Sequence, residues 1–180
     1  MKPTITMSLG IALTFCIGFG GMTLLRMNSS PAALPNPRGE TETALILLVS
    51  PTCAASNDPK LPVAWKAFVA AARSDSPDFA ISLIGVAMSS SPARGLDFLD
   101  RFGLFNEVTT GRGYFNTGGL RYMLNDFPGP AILPQVVVVR RQYAAHADGT
   151  RYLDSEVVVR RIWGLDDIVQ AADRKFAAVR

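Results

Sequence analysis

The chain has little of what most reactive or metal-bound sites are made from. Its 180 residues include two cysteines and one histidine. Two cysteines cannot staple a small disulfide scaffold. One histidine excludes any metal centre that needs two, and no other ligand set is evident, so no metal and no cofactor are expected. There is no G-x-x-x-x-G-K-[ST] run, so Gly111-Arg112-Gly113 and Gly118-Gly119 are not read as a phosphate cradle and no nucleotide is expected. Cys-x-x-Cys-His is missing, which excludes covalent haem. Ser89-Ser90-Ser91 lacks the nucleophile-elbow glycines and a histidine partner, which argues against a serine hydrolase. His146, beside the Asp148-Gly149 turn, reads as a solvated loop residue. No internal repeat of about 20–50 residues is visible.

What the sequence does have begins with a membrane signal. Ile5 to Leu25 is a run of 21 residues without a charge, between Lys2 and Arg26. About 20 apolar residues in a helix cross a hydrocarbon core of roughly 30 Å. The run exceeds the apolar region of about 7–15 residues in a cleaved signal, and it has no clean A-x-A site. Residues 1–26 are therefore read as an uncleaved signal anchor, a transmembrane helix. Phe15 before Cys16 spoils a lipoprotein box. Residues 27–42 hold Pro31, Pro35 and Pro37 and read as an extended tether. The folded domain is expected at 43–180, on the exported side of a bacterial inner membrane, in the periplasm. The net charge of +3 is a hint of nucleic acid only at first sight. Without Lys2 and Arg26, 16 basic residues face 15 acidic ones, so the exported part carries about +1 and no nucleic-acid partner is expected.

Within the domain, Ala44 to Val49 is a continuous apolar run, the pattern of a strand buried on both faces. Thr52-Cys53-Ala54-Ala55-Ser56 follows, then a helix to about Arg73 for which Asp58 and Pro62 are start signals. Phe79 to Met88 is a second buried strand. Pro92 to Phe102 is a helix stopped by Gly103. Leu104 to Gly119 reads as an ordered irregular insert, and together with Tyr114, Phe115 and Tyr122 it is a candidate partner-contacting surface. Leu120 to Asp126 is a short helix. Gln135 to Tyr143 and Glu156 to Trp163 form an antiparallel hairpin, in which Arg140-Arg141 and Arg160-Arg161 are expected to end strands in solvent. Asp166 to Val179 is the last helix, with Ile168, Ala172, Phe176 and Val179 as its apolar stripe. Trp65 and Trp163 are read as packing residues.

Leu47-Leu48-Val49-Ser50-Pro51-Thr52-Cys53-Ala54-Ala55-Ser56 and Ile132-Leu133-Pro134-Gln135-Val136, in this order of elements, resemble the thioredoxin-like superfamily. The resemblance implies an α/β three-layer sandwich with a mixed four-stranded sheet, here preceded by one N-terminal transmembrane helix. It also implies a reactive Cys53 at a helix start, and a cis Pro134 opposite it that exposes a backbone edge to an extended substrate. The chain departs from the pattern at several positions. Cys53-x-x-Ser56 replaces Cys-x-x-Cys, so no second thiol can resolve a mixed disulfide. Leu47 stands where a buried acid is usual, and Thr52 replaces the aromatic beside the cysteine.

Two functions follow. The favoured one is a non-catalytic, partner-binding accessory subunit of a membrane complex. The alternative is a monothiol thiol–disulfide oxidoreductase that uses Cys53, with Ser56 hydrogen-bonded to the thiolate, Pro134 beside it and an external thiol to resolve. The expected partners are the membrane, and protein partners of a membrane complex or a thiol client.

Overall fold

The computed structural model describes residues 41–75, 80–148 and 150–173. The expected anchor, residues 27–40 of the expected tether and two members of the last stripe, Phe176 and Val179, lie outside these residues, whereas the last two tether residues, Thr41 and Glu42, belong to the first strand, where they pair with Gln142 and Ala80. Among the described residues no helix is long and apolar enough to cross a membrane.

The chain begins with strand β1, Thr41–Val49, whose residues from Ala44 to Val49 have no solvent exposure. A strand with both faces covered needs apolar side chains at every position, which is why its sequence is a run rather than an alternation. A turn leads to helix α1 (Ala54–Asn57) and helix α2 (Lys60–Asp75). Strand β2 (Ala80–Ala87) returns parallel to β1, with Ile46 opposite Ile84. Helix α3 (Pro92–Leu99) and a 3-10 turn (Asp100–Phe102) lead to the short strand β3 (Glu107–Thr109). A second 3-10 turn (Gly113–Phe115), helix α4 (Thr117–Gly119) and a π turn (Leu120–Leu124) follow. Strands β4 (Gln135–Ala145) and β5 (Arg151–Trp163) form the hairpin, and helix α5 runs over Gly164–Asp173. The sheet order is β3-β2-β1-β4-β5.

Two cores lie on the two faces of this sheet. Leu45, Leu47 and Val49 of β1 share one with Leu61, Trp65 and Phe68 of α2, Phe98 and Leu99 of α3, and Ile168 of α5. Ala44, Ile46 and Leu48 share the other with Tyr122 and Met123 of the π turn and Val137 and Val139 of β4. The α4 backbone must come close to β2 on that side. A Cβ at Gly118 would lie 2.7 Å from Val86, so the glycine pair is a packing requirement.

Several expectations are corrected. The sheet has five strands, not four. β3 has only three residues and no buried apolar alternation, so periodicity gives no sign of it. It exists because the β2 edge offers backbone partners, and Asn106 starts the pairing through its side chain (2.8 Å to the Leu83 N–H) and its own N–H (2.8 Å to the Leu83 carbonyl). The helix after Cys53 is in two pieces, broken at Asp58-Pro59, where the Asp58 side chain accepts from the Lys60 N–H at 2.8 Å and starts α2. The hairpin strands are longer than expected: β4 reaches Ala145 and β5 begins at Arg151. Trp65 is buried against Phe68 and Phe105, whereas Trp163 is exposed.

The arginine pairs are also corrected. Neighbours in a strand point to opposite faces, so one member of each pair turns inward. Arg141 is buried. It donates to Glu156 (2.9 Å), Glu107 (2.8 Å) and the Tyr122 hydroxyl (3.0 Å), with Glu42 at 3.8 Å. Arg121 donates to the other oxygen of Glu156. Burial pushes the Tyr122 phenol up to about 12, so at neutral pH it is an uncharged donor to Glu156 at 3.1 Å. Burial also pushes the Glu156 carboxyl up. Hydrogen bonds from Arg141 and Arg121, with their charges, outweigh that and hold it below the ordinary carboxylate value.

Removing one partner of a buried pair leaves the other charge uncompensated, which costs about 3–5 kcal/mol. Glu156→Gln is therefore expected to lower unfolding stability in urea by about that amount at neutral pH. A group whose folded pKa is depressed adds stability that is complete above its unfolded pKa and lost as the pH falls through the folded value. The gap between wild type and Glu156→Gln should thus be full above the ordinary value of 4.5 and narrow at lower pH. A pH-independent gap measured by urea denaturation would contradict the assignment.

Candidate functional site

The site is built where β1 ends. Apolar Val49 gives way to Ser50-Pro51-Thr52, and the Cys53 N–H closes a turn on the Ser50 carbonyl at 3.1 Å. Cys53 is the N-cap of α1, with extended backbone (φ −89°, ψ 124°), and it is a free, partly exposed thiol. The turn is tied down on all sides. The buried Ser50 hydroxyl donates to the Met88 carbonyl at 3.1 Å and pairs with the Thr52 hydroxyl at 2.9 Å. The Asn57 side chain donates to the carbonyls of Pro51 (3.0 Å) and Cys53 (2.8 Å). Arg101, lying over the Phe98 ring, donates to the Asn57 carbonyl (3.3 Å) and side chain (3.4 Å). No sequence signal links Asn57 and Arg101, because Arg101 reaches α1 from the turn after α3, 44 residues away.

Across from the thiol stands the loop before β4. Cys53 Sγ donates to the Leu133 carbonyl at 3.4 Å. The Leu133–Pro134 peptide is cis, as the resemblance implies, and Pro134 is buried. The Pro134 carbonyl accepts from the Gly164 N–H at 2.9 Å, which ties the loop to the start of α5. Cys53 and Pro134, 81 positions apart, are therefore brought together.

Ser56 has a partner other than the thiol. It is wholly buried, and its hydroxyl accepts from the Ser50 N–H at 3.3 Å, so it braces the turn that carries Cys53. Beneath the thiol the core is apolar. Leu47 is fully buried among Leu61, Phe68 and Val136, so that face of β1 puts a hydrocarbon where a proton-transfer acid would stand. Among the described residues no group of three or more His, Cys, Asp or Glu side chains is placed to hold a metal.

The insert reaches the same end of the sheet. The Gly113 N–H donates to the Ser89 carbonyl (3.0 Å) just beyond β2. Buried Asn116 anchors the segment, donating to the Ala87 carbonyl at 3.0 Å and accepting from the Gly119 N–H at 2.7 Å. Tyr114 and Phe115 stay exposed, whereas Tyr122, expected with them, is buried in the second core. His146 lies tilted against the Tyr152 ring, 4.4 Å between centroids, at the far end of the hairpin.

No protein-family model and no curated protein matches the chain. Solved structures resemble it at low identity. A thiol:disulfide interchange protein from Bacteroides sp. is 12% identical over 78% of both chains, with a TM-score of 0.43. A secreted Mycobacterium tuberculosis disulfide oxidoreductase homologous to E. coli DsbE is 16% identical over 73% of this chain and 81% of its own, with a TM-score of 0.35. MTB DsbF, in its mixed oxidized and reduced forms, is 12% identical over 73% of this chain and 79% of its own, with a TM-score of 0.34. The chain's own geometry carries the assignment: the order β3-β2-β1-β4-β5, a cysteine that opens α1 and a cis proline opposite it make this a thioredoxin-like fold.

Proposed function

We propose that the domain is a monothiol thiol–disulfide exchange module, working through Cys53 on a thiol client and resolved by an external thiol. The observation that carries the reading is the placement of a free, partly exposed Sγ 3.4 Å from the Leu133 carbonyl, at the open end of the sheet where a client backbone can lie. In this reading the Cys53 thiolate attacks one sulfur of a client disulfide. The new Sγ–S bond forms as the client S–S bond breaks, and the departing client sulfur leaves as a thiolate that takes up a proton. An external thiol then attacks the mixed disulfide, restores Cys53 and becomes oxidised in its place. Ser56 and Asn57 act by holding the turn. By the same proposal residues 1–26 anchor the domain to a bacterial inner membrane, with the domain in the periplasm; this rests on the 21-residue uncharged run.

An accessory, partner-binding role is the second reading. It is favoured by the exposed Tyr114 and Phe115, which lie at the same end of the sheet as Cys53. A membrane partner that co-purifies equally with wild type and Cys53→Ser would support it.

Glutathione disulfide added to the full chain in detergent is expected to add one glutathione at Cys53, mapped by peptide mass and distinguished from any adduct at Cys16, and none at position 53 in Cys53→Ser. An unmodified wild-type Cys53 under conditions that modify a free cysteine peptide would sink the redox reading. Ser56→Cys places a second thiol one turn away. Its mixed disulfide is expected to collapse to an intramolecular bond between Cys53 and the introduced thiol, so the glutathione adduct no longer accumulates. A C-terminal alkaline phosphatase fusion is expected to be active, whereas an inactive fusion of normal abundance would reverse the proposed orientation.

A further inference from the structure

The loop that faces Cys53, Phe127-Pro128-Gly129-Pro130-Ala131-Ile132-Leu133-Pro134, contains three prolines. Each removes a backbone donor, so the loop cannot satisfy its own carbonyls and needs donors from elsewhere. Two side chains supply them. Gln135 is wholly buried, and its Nε2 donates to the carbonyls of Pro130 (3.1 Å) and Ile132 (3.3 Å). Its Oε1 accepts from Arg161 Nη1 at 2.7 Å. Arg161 Nη1 also donates to the Tyr122 carbonyl at 2.8 Å, and Nη2 donates to the Phe127 carbonyl. The guanidinium thus spans the π turn, the first residue of the loop and the glutamine that holds its middle.

The fit is close. A Cβ at Gly129 would come within 3.1 Å of the Arg161 guanidinium, so a side chain there would push the arginine away. The Gly129 N–H donates to the Met123 carbonyl at 3.0 Å and seats the loop on the π turn. A strand-end arginine with no task would extend into water. Here a half-buried guanidinium is spent on neutral oxygens, and those oxygens fix the backbone that ends in the Leu133 carbonyl beside the thiol.

We propose that Gln135 and Arg161 are positioning residues for the Cys53 site: they clamp the Pro130–Leu133 backbone in the place where it docks an extended peptide, and so favour peptide disulfides over small ones. The proposal rests on the monothiol reading above and adds the class of disulfide that the site prefers. The reaction is the same exchange, in which Sγ attacks one sulfur, the substrate S–S bond breaks, and the leaving sulfur departs with the electron pair and is protonated by solvent. A small disulfide needs only the thiol. A peptide disulfide also needs the loop in place.

The test compares second-order rates of mixed-disulfide formation with cystamine and with a disulfide-linked octapeptide dimer, using the full chain in detergent. Arg161→Met is expected to slow the octapeptide about tenfold, the loss that accompanies removal of a hydrogen-bonded positioning group, and to leave cystamine within about twofold. Arg161→Lys, which keeps the charge but loses the fork, should fall between. Equal slowing of both probes, or no slowing in a variant with wild-type near-UV circular dichroism, overturns the clamp. If wild type reacts with neither probe, it is the exchange reading that fails. Amide exchange at Ala131, Ile132 and Leu133 then tests the clamp alone: faster exchange in Arg161→Lys supports it, and unchanged exchange overturns it.

Discussion

The structure depends on the burial of β1. Six consecutive residues, Ala44 to Val49, are sealed from water, and this requires cover on both faces and a hydrogen-bonded neighbour on both edges. The parallel partner β2 needs a crossover, and α1 and α2 provide it while covering one face. The antiparallel partner β4 pairs Gln135 with Leu48, which sets Pro134 level with the end of β1. The chain has to leave the sheet at that end through a turn, and Cys53 stands on the turn. The meeting of the thiol with the Leu133 carbonyl is a consequence of strand register.

The second face shows how this sheet handles charge. At one end Arg141 and Arg121 converge on Glu156, and Tyr122 bridges Arg141 and Glu156, so charge is buried only in compensated form. At the other end Arg161 meets neutral acceptors of the proline-rich loop. Both arginines come from Arg-Arg pairs within strands, Arg141 in the middle of β4 and Arg161 close to the end of β5. Their neighbours decide the outcome: a carboxylate on β5 faces Arg141, and a loop short of donors faces Arg161.

Much of this was legible because its causes are local. Uninterrupted apolar runs mark β1 and β2, Pro92 and Gly103 bracket α3 with its 3-10 turn, and a cysteine alone before Ala54-Ala55-Ser56 marks the thiol. Other features were not legible. Strand β3 is held by backbone pairing and by Asn106, neither of which has a hydrophobic signature. The inward turn of Arg141 depends on strand phase, which an Arg-Arg pair does not reveal. A serine three residues after the cysteine suggests a hydroxyl beside the thiol, yet Ser56 turns to the Ser50 N–H, because that buried donor has a stronger claim on it.

By itself the sequence determined the order of the longer strands and helices, β3 excepted, the two-sided burial of β1, and the isolation of Cys53 from any second thiol in the domain. Periodicity and residue chemistry act over a few neighbouring positions and need no knowledge of the far chain. Only the tertiary structure decided which loop carbonyl faces the sulfur, which side chains hold that loop, and which charges are buried together. Those choices are made by residues tens of positions apart, and they meet only once strand register has placed them.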